Sequence, residues 1–201
     1  MATRTATKAP YHHGHLETAL VDAAIVLVRK YGPDHLSLRA VSAEIGVSPS
    51  ASYHHFRDKD ALVSAISIVL FDRLAIMQEK AIAKIKGTGA PGVIRKFEVM
   101  GKAYFAWATS EPNLYRLMFG GYCEVNVKEH GSKAWNLLRD GLDELASEGV
   151  LSKDARPGGE KIVWSTVHGA SSLAIEGWMS PSDFPMVWKS IQRSLGITPK
   201  D

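Results

Sequence analysis

Two short helices joined by a tight glycine turn are predicted between residues 37 and 56, and this spacing constrains the fold more than any other feature of the chain. Ser37 is a good N-cap for a helix that runs through Ile45, and Gly46 ends that helix after about two turns. Ser48 and Pro49 start the next helix, since a hydroxyl caps free amides and proline is tolerated at the first helical position. These are the dimensions of a helix-turn-helix, whose second helix enters the DNA major groove.

The rest of the chain is predicted to be helical as well, which makes the fold class all-α. Apolar residues at helical spacing predict a first helix over 15–31, and a fourth helix, capped by Asp58, runs over 59–86. The Gly- and Pro-containing stretch 86–92 is the best candidate for a hinge. Further helices are expected near 93–109, 112–119, 130–148, 159–179 and 183–195. Residues 121–129 alternate briefly like a strand but have no partner, so we interpret them as a loop.

Composition excludes several classes of protein. Cys123 is the only cysteine, so neither an intrachain disulfide nor a cysteine-based zinc site is expected. The sequence contains neither an apolar stretch long enough to cross a membrane nor a secretory signal, which predicts a cytoplasmic protein without a membrane partner. No nucleophile elbow, metal-ligand spacing or phosphate-binding glycine loop is present, so we expect no catalytic residues, no metal, no cofactor and no enzyme activity. Lys and Arg exceed Asp and Glu by only one through residue 60, so bulk charge does not indicate DNA binding.

Residues 20–62 closely resemble the DNA-binding domain of the tetracycline-repressor (TetR) family. The resemblance is carried by Ala23-Ala24, Tyr31-Gly32, Ser37, Gly46-Val47-Ser48, Tyr53-His54-His55-Phe56 and Lys59. Ser42 departs from the family pattern, in which alanine is usual, and Ser50 and Ser52 stand where glycine and Leu or Pro are frequent. The resemblance implies a three-helix DNA-binding domain followed by a helical domain for ligand binding and dimerisation. We therefore expect a flexible arm over 1–14, the DNA-binding domain over 15–60 and the second domain over 61–201.

The resemblance also implies which residues contact DNA. Ser37 and Arg39 are expected near the DNA backbone. The residues expected at the bases are Ser48, Pro49, Ser50 and Ala51. The residues expected at phosphates are Tyr53, His54 and Lys59. Ser52 is a further small hydrogen-bonding residue of this helix. Val47 and Phe56 are assigned to the core and His55 to a structural role. The His-rich segment 11–15 is open to three interpretations: an arm that contacts DNA, a solvated tail, or a metal site.

Twelve of the seventeen aromatic residues, including all five tryptophans, lie between Phe97 and Trp188. Such residues often form only a core, but this number also indicates an aromatic-lined pocket. The run Trp164 to Gly169 resembles a Trp-x-x-x-His-Gly signature of one TetR branch. His168 is either a core histidine or a group that orients a ligand. The candidate ligand-binding residues are Tyr104, Trp107, Phe119, Trp135, Trp164, His168 and Ser171.

Together these features predict a ligand-responsive transcriptional regulator. Its expected partners are double-stranded DNA with a palindromic operator, a small and largely apolar effector, and a second copy of the chain. By resemblance, the helices near 159–179 and 183–195 form the dimer interface, with Trp178 and Trp188 as anchors. The alternative is a TetR-like ligand-binding module that acts without specific DNA binding or through a partner protein.

Overall fold

Side-chain caps divide the N-terminal part of the chain into the predicted helices. In the computed structural model, which describes residues 13–122 and 133–198, the first four are α1 (His13–Tyr31), α2 (Leu38–Glu44), α3 (Pro49–Tyr53) and α4 (Lys59–Ile82). Ser37 Oγ, Ser48 Oγ and Asp58 Oδ1 each accept the backbone N–H three residues further on, at 3.1, 3.2 and 2.8 Å. These bonds satisfy amides that the helices themselves leave unpaired. The three predicted N-caps are confirmed.

Five further helices complete the described part of the chain. They are α5 (Gly89–Ser110), α6 (Pro112–Phe119), α7 (Lys133–Ser147), α8 (Gly159–Ile175) and α9 (Phe184–Leu195), with short 3-10 turns at Pro33–His35, Lys153–Ala155 and Pro181–Asp183. Residues 13–122 and 133–198 contain no strand, so the all-α class is confirmed. The loop predicted over 121–129 lies mostly outside the described residues.

The segment 86–92 differs from the hinge that the sequence predicts. Helix α4 ends at Ile82 rather than near 86, and α5 begins at Gly89, so most of the Gly- and Pro-containing stretch is a tight turn plus the first turn of a helix. A Cβ at Gly92 would lie 2.3 Å from Gly87 O, which is too close for any side chain. Glycine at position 92 therefore serves a close backbone approach rather than flexibility.

Helix α4 is shared by the two ends of one continuous core. Its first half packs with α1, and α1 packs with α2, so that Leu20, Val41 and Leu62 are fully buried. Its second half packs against α5 and α7. Burial of large apolar side chains is the main source of stability in such a core. One hydrophobic core therefore extends from the N-terminal helices to the C-terminal helices, without a break near residue 60.

Two of the departures from the family pattern contact each other between α2 and α3. The hydroxyls of Ser42 and Ser52 are 2.7 Å apart, and Ser42 Oγ donates to Leu38 O at 2.6 Å. Since the Ser42 hydrogen is used in that bond, Ser52 is the donor to Ser42. Both serines are buried. The expectation that Ser52 offers a hydrogen bond to DNA is therefore wrong, because its hydroxyl points into the helix-turn-helix.

We expect the two serines to be energetically coupled. Ser42→Ala leaves the buried Ser52 hydroxyl without its acceptor, which should lower the free energy of unfolding by about 1–3 kcal/mol. The double variant Ser42→Ala/Ser52→Ala removes both polar groups and should be closer to the wild type than the sum of the single variants. Urea unfolding followed by circular dichroism measures all four proteins. Strictly additive effects would contradict the coupling.

Candidate functional site

The recognition helix α3 presents a small polar surface to solvent. Pro49, Ser50, Tyr53 and His54 are exposed and Ala51 is partly exposed, all on the side away from the buried Ser52. Ser37, Arg39 and Ser48 are also exposed at or near the starts of α2 and α3. The two serines use Oγ as a cap acceptor, so each keeps its hydroxyl hydrogen for a further partner. All of the residues expected at DNA, apart from Ala51 and Lys59, are thus on the exposed surface.

Lys59 is partly buried and already has partners within the chain. Its Nζ donates to Pro33 O at 3.3 Å and lies 5.6 Å from the centre of the Tyr122 ring. The Tyr122 hydroxyl in turn donates to Asp34 Oδ1 at 2.5 Å. The ammonium has three N–H donors, so the bond to Pro33 O leaves two for a further acceptor such as phosphate. Arg57, which the sequence analysis did not single out, is exposed on the adjoining loop and pairs with Asp58 at 2.9 Å.

The residues assigned to the interior of this unit differ in burial. Phe56 is buried, whereas Val47 is only partly buried. The His55 side chain is largely covered, and its Nδ1 lies 3.9 Å from Glu17 Oε2. The His-rich segment 11–15 lies outside the residues whose side chains are described.

A cavity of about 60 Å³ lies among α4, α5, α7 and α8. Three of the candidate ligand-binding residues line it: Tyr104, Trp135 and Trp164. The other lining residues are Phe71, Leu74, Gln78, Met100, Gly101, Ala134, Leu138, Val163 and Val167. Sequence reasoning missed those on α4, although their spacing at 71, 74 and 78 is that of one helix face. The walls are almost entirely apolar, which suits an apolar ligand.

The remaining four candidates do not line this cavity. Phe119 and His168 form a layer behind Trp164, with ring centres 4.7 Å apart, and Phe119 lies 6.4 Å from the Trp164 ring. Trp107 is buried beside Tyr104 at 6.3 Å and belongs to the core. Ser171 is fully buried, and its hydroxyl donates to Val167 O at 2.8 Å. That hydroxyl is occupied by its own helix.

His168 joins α8 to two buried tyrosines. The hydroxyls of Tyr104 and Tyr115 lie 3.0 and 2.9 Å from His168 Nδ1, and the Tyr115 hydroxyl is also 2.9 Å from His168 O. Burial lowers the pKa of His168 and raises the pKa of both tyrosines well above the usual range. The cluster is therefore uncharged at neutral pH. The Tyr115 hydroxyl donates its single hydrogen to His168 O.

Helix α6 connects this cluster to the N-terminal helices. At its start, Asn113 Nδ2 donates to Arg29 O at 3.1 Å, and the Arg29 guanidinium pairs with Glu111 at 2.8 Å. At its end, Phe119 contacts Phe71 of α4 with ring centres 5.9 Å apart. The helix thus contacts both α1, which supports the helix-turn-helix, and the residues around the cavity.

The two most exposed large apolar side chains among the residues that the structure describes, Trp178 and Met186, lie in the turn after α8 and on α9. Leu173, Trp178 and Met186 are 48%, 82% and 57% exposed. Trp188, by contrast, is buried inside the subunit and packs against Phe97 with ring centres 6.3 Å apart. The expectation that Trp188 anchors an interface is therefore wrong. None of the helices in residues 13–122 and 133–198 combines the length and apolar character needed to span a membrane.

A helix-turn-helix followed by a helical domain with an internal apolar cavity is the architecture of a bacterial one-component regulator. Residues 20–66 match the family model described as bacterial regulatory proteins of the TetR family. Residues 97–195 match the model of the tetracyclin repressor-like C-terminal domain. The two matches together span well over half of the chain, which belongs to the TetR family.

Relatives and solved structures agree with this assignment. An HTH-type transcriptional repressor of Mycobacterium tuberculosis, Rv1474c, is 36% identical over 61 residues, which are 30% of this chain and 33% of that protein. An uncharacterised HTH-type regulator of Haemophilus influenzae is 31% identical over 102 residues, 50% of this chain and 47% of that protein. The alignments thus span a third to about half of these two relatives. A structure from Rhodococcus sp. RHA1, of unknown function, is 28% identical with a TM-score of 0.77, covering 94% of this chain and 99% of that one.

The histidine cluster should make stability depend on pH. Because the pKa of His168 is lower in the folded chain, the unfolded chain binds more protons below its own pKa of about 6.5. The contribution of neutral His168 is therefore fully present above the unfolded pKa and is lost as the pH falls through the lower pKa of the folded chain. His168→Asn keeps a hydrogen-bond acceptor near the Nδ1 position and removes the titration.

Urea unfolding at several pH values measures this effect as the difference in unfolding free energy between the wild type and His168→Asn. We expect acidification to lower the unfolding free energy of the wild type more than that of His168→Asn. Substitution of the exposed His35 by Asn controls for loss of a histidine outside the cluster. Parallel curves for the wild type and His168→Asn would contradict the prediction.

Proposed function

We propose that the chain is a ligand-responsive transcriptional repressor that binds a palindromic operator as a homodimer. The observation that carries the proposal is the polar, exposed face of α3, held against α2 by the buried Ser42–Ser52 bond, in a member of the TetR family. A helix-turn-helix presents the N-terminal residues of its second helix to base edges, and that is the part of α3 left exposed here.

In this proposal the exposed residues divide into two roles. Pro49, Ser50 and Ala51 meet base edges, where a serine hydroxyl can donate or accept and the alanine methyl fits against thymine. Tyr53, His54 and Lys59 bind phosphates and set the register, as do Ser37 and Arg39 from α2. Lys59 keeps its bond to Pro33 O and offers one of its other N–H groups to a phosphate, a charged acceptor that makes a stronger bond than a neutral carbonyl.

The proposed dimer uses the exposed apolar side chains of the α8–α9 region. Leu173, Trp178 and Met186 supply the apolar side chains of this surface, and covering their exposed area with a second subunit would be favourable. A Cβ at Gly169 would meet nothing, so this part of α8 leaves room for a second helix to approach closely. A two-fold dimer presents two recognition helices and therefore binds an inverted repeat.

The proposed effector enters the cavity between α4 and α8 and lowers DNA affinity. Two helices support coupling between the sites: α4 lines the cavity with Phe71 and Leu74 and begins at Lys59, and α6 contacts both Trp164, through Phe119, and α1. A ligand that prefers the conformation with poor fit to DNA must lower DNA affinity, and DNA must lower ligand affinity equally. A coupling of roughly 1–3 kcal/mol is typical of such switches.

Selection of duplex DNA by the purified protein tests the DNA-binding role. We expect recovery of an inverted repeat whose half-sites are about one helical turn apart or modestly more. Lys59→Ala should weaken binding to all sequences and reduce the slope of log affinity against log salt by about one, because one phosphate contact is lost. Ser50→Ala should instead change the preferred base sequence.

The matched control is Lys80→Ala, which removes an exposed charge at the far end of the same helix. It should leave both the slope and the selected sequence unchanged. Selection of no common sequence, with ligand binding intact, would favour the alternative module that acts without specific DNA binding or through a partner protein.

The dimer is tested by sedimentation of surface variants. Leu173→Glu introduces a charge into the proposed interface, and burial of an unpaired charge is costly, so the dimer should dissociate at concentrations where the wild type does not. Ile76→Glu, at a residue of similar exposure on α4, is the matched control and should sediment like the wild type. A wild-type protein that sediments as a monomer would contradict the proposal.

A further inference from the structure

The cavity contains one buried polar group whose hydrogen-bonding capacity is half used. Gln78 lines the cavity from α4 and is only 6% exposed. Its Nε2 donates to Met100 O on α5 at 3.3 Å, whereas its Oε1 has no hydrogen-bond partner among the described residues. The bond to Met100 also determines which way the amide faces, since an oxygen in that position would oppose another carbonyl oxygen.

No other lining side chain satisfies this acceptor. Apart from Gln78, the lining side chains are apolar or aromatic, and the Tyr104 hydroxyl is held by His168 at 3.0 Å. A buried acceptor without a partner is destabilising, so its retention in the cavity calls for a partner that the described residues do not supply. The missing partner must be a donor, because an amide oxygen can only accept.

We propose that the effector is an uncharged apolar compound with a hydroxyl group, and that this hydroxyl donates to Gln78 Oε1. This inference rests on the proposed role of the cavity as the effector site. The lining contains no Lys or Arg, so a carboxylate or phosphate would enter without a compensating charge and would oppose the amide oxygen. The same chemistry discriminates against a pure hydrocarbon, which fills the cavity but leaves Oε1 unpaired.

The size of the cavity adds a second constraint. An apolar cavity of about 150 Å³ accommodates benzene, so the space of about 60 Å³ must enlarge when a ring compound of that size enters. A second cavity, of about 160 Å³, lies between α5 and α7, and Met100 lines both. Its one lysine, Lys96, is already paired with Glu144 at 2.9 Å, so the second cavity also offers no unpaired cation to an anionic ligand. Met100 is unbranched and adapts its rotamer readily. Movement of its side chain would join the two spaces beside Gln78, where the hydroxyl is required.

The experiment compares hydroxylated probes with hydrocarbons of the same shape on the full chain. The pairs are phenol with toluene, 4-methylphenol with p-xylene, 2-naphthol with 2-methylnaphthalene, and 1-octanol with nonane. Binding is followed by fluorescence of Trp135 and Trp164, which line the cavity, and by calorimetry. We expect the hydroxylated member of at least one pair to bind on the order of tenfold more tightly than its hydrocarbon.

Gln78→Met keeps the length and approximate volume of the side chain and removes the acceptor. In this variant the preference for the hydroxyl should disappear, because the hydrocarbon no longer leaves a polar atom unpaired. Leu138→Met, which changes the shape of the cavity without its polarity, is the matched control and should shift both members of a pair together. Should Gln78→Met not fold, the preference measured in the wild type still decides the outcome.

Two results would overturn the inference: no hydroxylated probe binds, or each binds no better than its hydrocarbon. Neither measurement involves DNA, so the proposed function is judged separately. A probe that binds with the expected preference but leaves operator affinity unchanged would contradict the switch and not the ligand class. If a hydrocarbon or a carboxylate binds as tightly as the hydroxylated probes and releases the operator, the ligand class is wrong but the switch is not.

Discussion

The structure depends on the burial of one face of α4 along its whole length. Leu62, Ile66 and Leu70 are buried toward the N-terminal helices, and Leu74 and Gln78 continue the same face into the second half of the molecule. A helix that supplies side chains to both ends of one close-packed core moves as a rigid unit, because packed interiors resist local deformation. The position of the Asp58 cap, and with it the start of the DNA-facing surface, therefore depends on what α4 contacts near the cavity.

Helix α6 adds a second connection with different chemistry. Its contacts to α1 include the 2.8 Å pair of Arg29 and Glu111 at the surface, and the two helices also pack along their length. Its contacts to the cavity region are aromatic and buried, as in the approach of Phe119 to His168. Aromatic packing holds a defined geometry. Because α6 packs against both α1 and the aromatic cluster, movement of the cluster can alter the contact with α1.

The predictions from sequence succeeded where the determining interactions are local. Caps at Ser37, Ser48 and Asp58 involve residues three positions apart, so the sequence is sufficient to identify them. The burial of Ser52 and Trp188 depends on neighbours distant in the chain, Ser42 and Phe97, and periodicity cannot reveal those. For the same reason the sequence indicated an aromatic pocket but could not separate Trp164, which lines it, from Trp107, which does not. Gln78 was detectable in principle, as a polar residue on an otherwise apolar helix face.

In the proposed switch, the length of α4 makes a small change at the cavity sufficient for a large effect at DNA. Gln78 and Lys59 are separated by 19 residues of one helix, which corresponds to about 28 Å at 1.5 Å per residue. If the helix pivots near Gln78, a tilt of about 5° moves the Lys59 end by about 2.5 Å over that length. A displacement of this size is comparable to a hydrogen-bond length, so it is enough to break a charge-assisted contact with phosphate. In the proposed DNA complex, the bond from Lys59 to Pro33 O keeps the ammonium partnered after the phosphate contact breaks, which lowers the cost of release.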